Sequence, residues 1–127
     1  MMRQVFWFGV VGVAAMCTHF AVAAALLTAQ ALPPLLANMA GFMLAFPVSY
    51  GGHRWRTFAG ARPRSGSLWR FLLVALGSFA LNECLYAALL RGTGMEPRAA
   101  LALVLLAVAA LTFLASRHWA FAAERRA

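Results

Sequence analysis

The segment LNECLY, residues 81–86, sets an asparagine and a glutamate side by side within an apolar run. An ionisable side chain in such surroundings has two uses. It can line a path for a polar group or exchange a proton, or it can lock helices together through a hydrogen bond. His19 lies in a comparable run, and Asn38 lies near the start of another. If these runs are membrane helices, Glu83 stands 13 residues beyond Arg70, roughly 20 Å along the axis at about 1.5 Å per residue. His19, Asn82, Glu83 and Asn38 are then expected to meet in one polar layer, the candidate path for a hydrophilic headgroup. The charge state of Glu83 is left open.

A second set of residues could hold an anion. Residues 50–58 read YGGHRWRTF and residues 113–121 read FLASRHWAF. Both endings combine arginine, histidine and tryptophan ahead of a closing phenylalanine. Arginine meets a phosphate with a planar two-pronged fork, and tryptophan settles at the depth of lipid headgroups. Arg54, Arg117, Arg56 and His118 are the candidate lipid-phosphate ligands, with Trp55 and Trp119 as interfacial aromatics. Ordinary membrane anchoring accounts for the same composition, but not for an arginine standing four residues before phenylalanine in both places. Catalysis by this chain is not expected. It has three carboxylate side chains, no phosphate-binding glycine loop and no spacing that suits a metal, so no cofactor is expected either.

The elements that must position these groups follow from composition. Of 127 residues, 64% are hydrophobic and 11% charged, against about 45–50% and about 25% in soluble domains. The formal charge of +8 does not indicate nucleic acid, because almost no chain remains outside the apolar runs to form a soluble binding face. A bilayer crossing needs roughly 20 mostly apolar residues, and four runs qualify: about 5–27, 35–52, 68–90 and 98–116. Residues 1–127 thus form a single four-helix transmembrane domain. The first run resembles a secretory signal but is long for one, so a retained helix is expected. Cys17 and Cys84 both fall within runs and are expected to be inert thiols. Pro47 should kink the second helix, and Gly51-Gly52 should loosen its end. Close helix approaches are expected at Gly9 and Gly12, at Gly41 and Ala45, and at Gly77 with Ser78.

Arginine distribution sets the expected orientation. With both termini and the middle loop on the cytoplasmic side, that side collects Arg3, Arg54, Arg56, Arg62, Arg64, Arg70, Arg117, Arg125 and Arg126. The opposite side keeps Arg91 and Arg98. Laying residues 6–58 over 71–121 matches Phe6 with Phe71, Gly12 with Gly77, Arg54 with Arg117 and Phe58 with Phe121. This reads as two copies of a helical hairpin in parallel repeat, with a two-residue change of offset absorbed in the outer loop.

The stretches FWFGVVG, SYGGHRWRTF, RFLLVALGSF and TFLASRHWAF resemble the GtrA-like family of small bacterial four-helix membrane proteins. The resemblance spans nearly the whole chain. Ser49 and Thr112 stand where the family often has asparagine, and Trp55 comes one place earlier than its usual aromatic. The resemblance implies a role in cell-envelope polysaccharide synthesis: movement of polyprenyl-phosphate-linked monosaccharides across the inner membrane. A similar helical domain is fused to some dolichyl-phosphate mannose synthases. Four helices are few for an enclosed path, so a homo-oligomer is expected, a dimer by default. Two other readings stay open. One is a non-transporting partner that recruits a membrane glycosyltransferase. The other is a small proton-coupled multidrug-type exporter, although such exporters carry their acid in the first helix and this chain has Glu83 in the third.

Overall fold

The computed structural model describes residues 2–57, 59–60 and 66–124, with side chains for all of these except 67 and 112–124. It contains four helices: α1 (Met2–Thr28), α2 (Pro34–Gly52), α3 (Ser67–Thr93) and α4 (Pro97–Glu124). A π-helical turn, His53–Thr57, continues α2. Three stretches are long and apolar enough to cross a membrane: Met2–Thr28, Pro34–Thr57 and Leu68–Thr93. Pro97–Leu111 of α4 is likewise apolar.

The helices stop where backbone chemistry makes them stop, beyond the expected apolar runs. At the end of α1 the Ala31 N–H donates to the Leu26 carbonyl at 3.0 Å and the Gln30 N–H to that of Leu27 at 3.1 Å. This is a Schellman closure, with Gln30 in the left-handed position at φ 53° that glycine usually fills. Pro34 opens α2, where its missing N–H costs nothing. Gly94, at φ 61°, closes α3. At the start of α4 the Glu96 carboxylate accepts from the Ala99 N–H at 3.0 Å and from Arg98 Nε at 2.8 Å. Those bonds, the Arg98 one foremost, hold the Glu96 carboxyl below the usual carboxylate range. Arg98 Nη1 also donates to Thr28 Oγ1 at 3.0 Å, and the Tyr86 hydroxyl to the Pro97 carbonyl at 2.9 Å. The end of α1, the last turns of α3 and the start of α4 are thereby tied at one end of the bundle.

α1 packs on α2 and α4, and α3 packs on the same two helices. The interfaces differ in kind. A Cβ on Gly41 would lie 2.6 Å from the His19 carbonyl oxygen, and one on Gly52 would lie 2.7 Å from Val11 Cγ1. Glycine therefore lets α1 and α2 approach at backbone distance. Between α2 and α3 the contact is aromatic. Phe42 stacks on Phe79 at 4.5 Å, and Phe46 and Tyr50 meet Phe71 at 5.7 and 5.6 Å between ring centroids. Phe42, Phe46 and Tyr50 follow Asn38 at four-residue steps, so they share its face of α2. The apolar core, with Ala23, Ala37, Tyr86, Ala100, Leu101 and Val104, sits towards the tied end. Met43, Leu44, Val74 and Leu106 are exposed, as suits side chains that face lipid.

The internal repeat takes a simpler register than the one expected from Phe6 and Gly12. Pro34 and Pro97 are 63 residues apart, as are Arg54 and Arg117, and Phe58 and Phe121. At that offset, residues 13–34 and 76–97 have the same degree of burial at every pair except Thr18 and Leu81. Leu35 and Arg98 differ, but Ala37/Ala100 and Asn38/Leu101 are again fully buried pairs. No slip in the outer loop is needed. The expected pairing of Gly12 with Gly77 follows residue identity, whereas burial pairs Gly77 with Ala14; ahead of residue 13 the two hairpins no longer match in burial, with Val11 buried and Val74 exposed.

Candidate functional site

The four polar residues singled out within the apolar runs are brought together, with Asn38 as their hub. Its side chain is fully buried. Asn38 Oδ1 lies 2.6 Å from His19 Nε2, and Asn38 Nδ2 donates to Asn82 Oδ1 at 2.7 Å and to Glu83 Oε2 at 3.2 Å. One amide thus joins α1, α2 and α3. Asparagine can do this because its side chain both accepts and donates, with two hydrogens on nitrogen. An amide oxygen needs a donor, so in this arrangement His19 carries its proton on Nε2. His19 and Asn82 are themselves buried and occupy equivalent places in the two hairpins. Leu101 is the counterpart of Asn38, so the repeat provides one hub and not two. Glu83 does not touch His19; the two communicate through Asn38.

Glu83 Oε1 is buried and has no hydrogen-bond partner. Buried polar atoms are almost always satisfied, so an unsatisfied carboxylate oxygen beside three bonded groups is where this cluster can accept something more. Gly41 is part of the same construction. It stands three residues past Asn38, and its close approach to the His19 backbone sets the separation across which the 2.6 Å bond forms.

A second cluster occupies the π-helical turn at the other end of the bundle. The His53 N–H donates to the carbonyls of both Ser49 and Tyr50, and the π-helical turn begins there, immediately after Gly51-Gly52. The His53 ring is buried, with Nδ1 3.0 Å from Thr57 Oγ1. It stacks on Phe8 at 4.8 Å and lies 6.0 Å from Phe71. Phe8 comes from α1 and Phe71 from α3, so each hairpin supplies an aromatic beside His53. The Arg56 guanidinium carbon lies 5.1 Å from the Trp7 ring centroid, a cation–π contact. Arg54 and Trp55 are exposed. Among the described residues the one ion pair is Arg98 with Glu96, and it lies at the opposite end. Arg117, His118 and Trp119 fall on the last turns of α4; their side chains, and with them the expected pairing of Arg54 and Arg117, lie outside the described residues.

Sequence reasoning placed Asn38 in the polar layer, near the start of its helix, and missed its central role. It also missed the buried His53–Thr57 pair. The available signals were the four-residue ladder running from Asn38 through Tyr50 and the phenylalanines at 8 and 71. Pro47, expected to kink α2, lies within the helix, and the widened turn appears six residues further on.

Fold and site together define a small all-α multi-pass membrane protein with polar chemistry sealed inside its bundle. The chain matches the family described as GtrA/DPMS, transmembrane domain, over residues 7–121, and it belongs to that family. Comparison with curated proteins and with solved structures gives no match.

Proposed function

We propose that this protein moves polyprenyl-phosphate-linked monosaccharides across the bacterial inner membrane, alone or as the membrane component of such a flippase, in support of cell-envelope polysaccharide synthesis. The observation that carries this reading is the Asn38-centred cluster, with its unpartnered Glu83 oxygen, inside an otherwise apolar bundle. A sugar headgroup crossing a bilayer needs hydrogen-bonding groups at depth, while its isoprenoid tail stays in lipid. The Arg–Trp segments suit the lipid phosphate at the cytoplasmic interface. The protein acts by binding and movement rather than by catalysis, with both termini cytoplasmic, and a dimer supplies the wall that four helices cannot close.

The test is reconstitution of the purified chain with isotopically labelled polyprenyl-phosphate sugar, following the label from one leaflet to the other. Movement by the chain alone is expected. No movement until a membrane glycosyltransferase is added would favour the recruiting role instead. Binding of the phosphate is tested separately with Arg54→Lys, Arg117→Lys and Arg62→Lys. Lysine keeps the charge but loses the fork. Affinity should fall about ten- to a hundredfold at positions 54 and 117, the equivalent of ~1.5–3 kcal/mol for a hydrogen bond to a charged group, and hold at 62. Equal affinity in all three would leave the arginines as anchors.

A further inference from the structure

We infer that the Asn38 cluster is a proton-binding site, in which uptake of one proton by Glu83 reverses the Asn38 amide and shifts the proton of His19 between ring nitrogens. The further step, that this proton drives lipid movement, rests on the transport reading above.

The inference comes from the direction of each bond. As arranged, Glu83 only accepts: Asn38 Nδ2 points at Oε2, and nothing points at Oε1. A carboxylate fits this arrangement. A proton on the buried Oε1 would have no acceptor; a proton on Oε2 turns that acceptor into a donor, which would then face the Asn38 NH₂, another donor. The conflict disappears if the Asn38 amide makes a half-turn. Its oxygen then accepts from the Glu83 hydroxyl, and the Asn82 amide, turned likewise, donates to the same oxygen. Asn38 Nδ2 now faces His19 Nε2, which must give up its hydrogen and hold its proton on Nδ1. Every contact is kept and every donor becomes an acceptor. Amide oxygen and nitrogen are nearly equal in size, so the reversal needs no repacking of the buried hub. In the balance, one proton enters at Glu83, and His19 carries one proton before and after.

The surroundings leave Glu83 as the group that takes the charge. On α2, residues 35–48 contain no ionisable side chain, and on α4 residues 99–111 contain none. From α1 the titratable group is His19, through Asn38. On α3 itself Tyr86 stands one turn further on with its hydroxyl bonded to the Pro97 carbonyl. Glu96 and Arg98 are exposed and engaged with each other. The hub joins three helices, and His19 and Asn82 are equivalent in the repeat. Protonation therefore reverses the link between the two hairpins at their equivalent positions, the kind of two-state element on which a transport cycle depends.

The wild-type protein in lipid bilayers provides the first test. With ¹⁵N-labelled histidine, the His19 signals are followed against pH together with the carboxyl C=O band in the infrared. The side-chain carboxyls are Glu83, Glu96 and Glu124, so the difference between wild type and Glu83→Gln assigns the Glu83 band. The expected result is a change of His19 tautomer at the same pH as Glu83 protonation, with His53 unmoved. A His19 tautomer indifferent to Glu83, or a Glu83 band that does not titrate, overturns the inference. Proteoliposomes with an imposed pH gradient provide the second test. With one proton per lipid, the wild type should build about a tenfold asymmetry of labelled lipid per pH unit, and Glu83→Gln should build none, whatever its rate of lipid movement. Equal response in both overturns the drive. Coupled titration with no lipid movement at all, with or without an added membrane glycosyltransferase, would sink the transport reading and leave the proton site standing.

Discussion

Asn38 is the residue on which the interior depends most. Replacing it with leucine copies what the second hairpin has at Leu101, so the volume is one the fold already accepts. The hydrogen bonds are not replaced. His19, Asn82 and Glu83 each lose their bond to the hub. Single interhelical bonds in membrane proteins contribute about 0.6 kcal/mol and rarely above about 1.7, while an orphaned buried group costs about 1–3 kcal/mol. Asn38→Leu should therefore lower stability by roughly 2–4 kcal/mol, measured by reversible unfolding in mixed micelles, and Asn82→Leu by about 1–2. Equal effects would remove Asn38 from the centre. This hierarchy was only partly legible in the sequence. Glu83, Asn82 and His19 stand out because each interrupts a long apolar run. Asn38 stands four residues after Pro34, where a polar residue at a membrane surface needs no explanation. Its role emerges only when α1 and α3 extend past the start of α2 and bring their polar residues to its depth.

Among the elements, the glycines separate two kinds of interface. Gly41 and Gly52 press on α1, whereas Gly9, Gly12 and Gly77 have open space where a Cβ would go. Gly41→Ala must push against the His19 carbonyl and ring, parting α1 from α2 and stretching the His19–Asn38 bond. A loss of about 1–3 kcal/mol is expected, the range for forcing a methyl group into a packed site. Gly9→Ala and Gly77→Ala should be neutral or slightly stabilising in the same micelle assay, since alanine favours helix by ~1 kcal/mol over glycine. All five glycines lie within apolar runs and most looked alike in sequence, because small residues mark close approach only when a partner helix is there. The helices themselves were legible: apolar runs of sufficient length, punctuated by proline and glycine, have few other folds in a bilayer. The π-helical turn was not: its buried His53 meets Phe8 and Phe71, which come from two other helices.

At the scale of the whole molecule the two hairpins follow one repeat, with a 63-residue register across residues 13–34 and 76–97, and that symmetry constrains how the protein sits in the membrane. In a parallel repeat both hairpins enter and leave on the same side, so the turns 29–33 and 94–96 face one compartment, and the middle loop shares the other with both termini. Sequence identity alone suggested a slipped register, because phenylalanine and glycine recur by chance in apolar chains. Burial fixes the register because it reports position rather than residue type. The two sides differ in charge: Arg54, Arg56 and Arg70 flank the middle loop, while at the other end Arg98 is engaged by Glu96. Positive charge is retained in the cytoplasm, which predicts the middle loop inside. Cys17 and Cys84 are first replaced by alanine, being exposed free thiols, and single cysteines are then introduced at Ala31 and Ala59, both exposed. In intact spheroplasts an impermeant maleimide should label Ala31→Cys at once and Ala59→Cys only after permeabilisation. The opposite pattern would invert the molecule and move the arginine cluster away from cytoplasmic lipid phosphate. Labelling of both positions in every cell would indicate dual insertion, with each copy facing its neighbour upside down. If the proposed function holds, a headgroup made in the cytoplasm requires a fixed orientation, because the phosphate would meet Arg54 and Arg56 before the sugar reached Asn38 and Glu83.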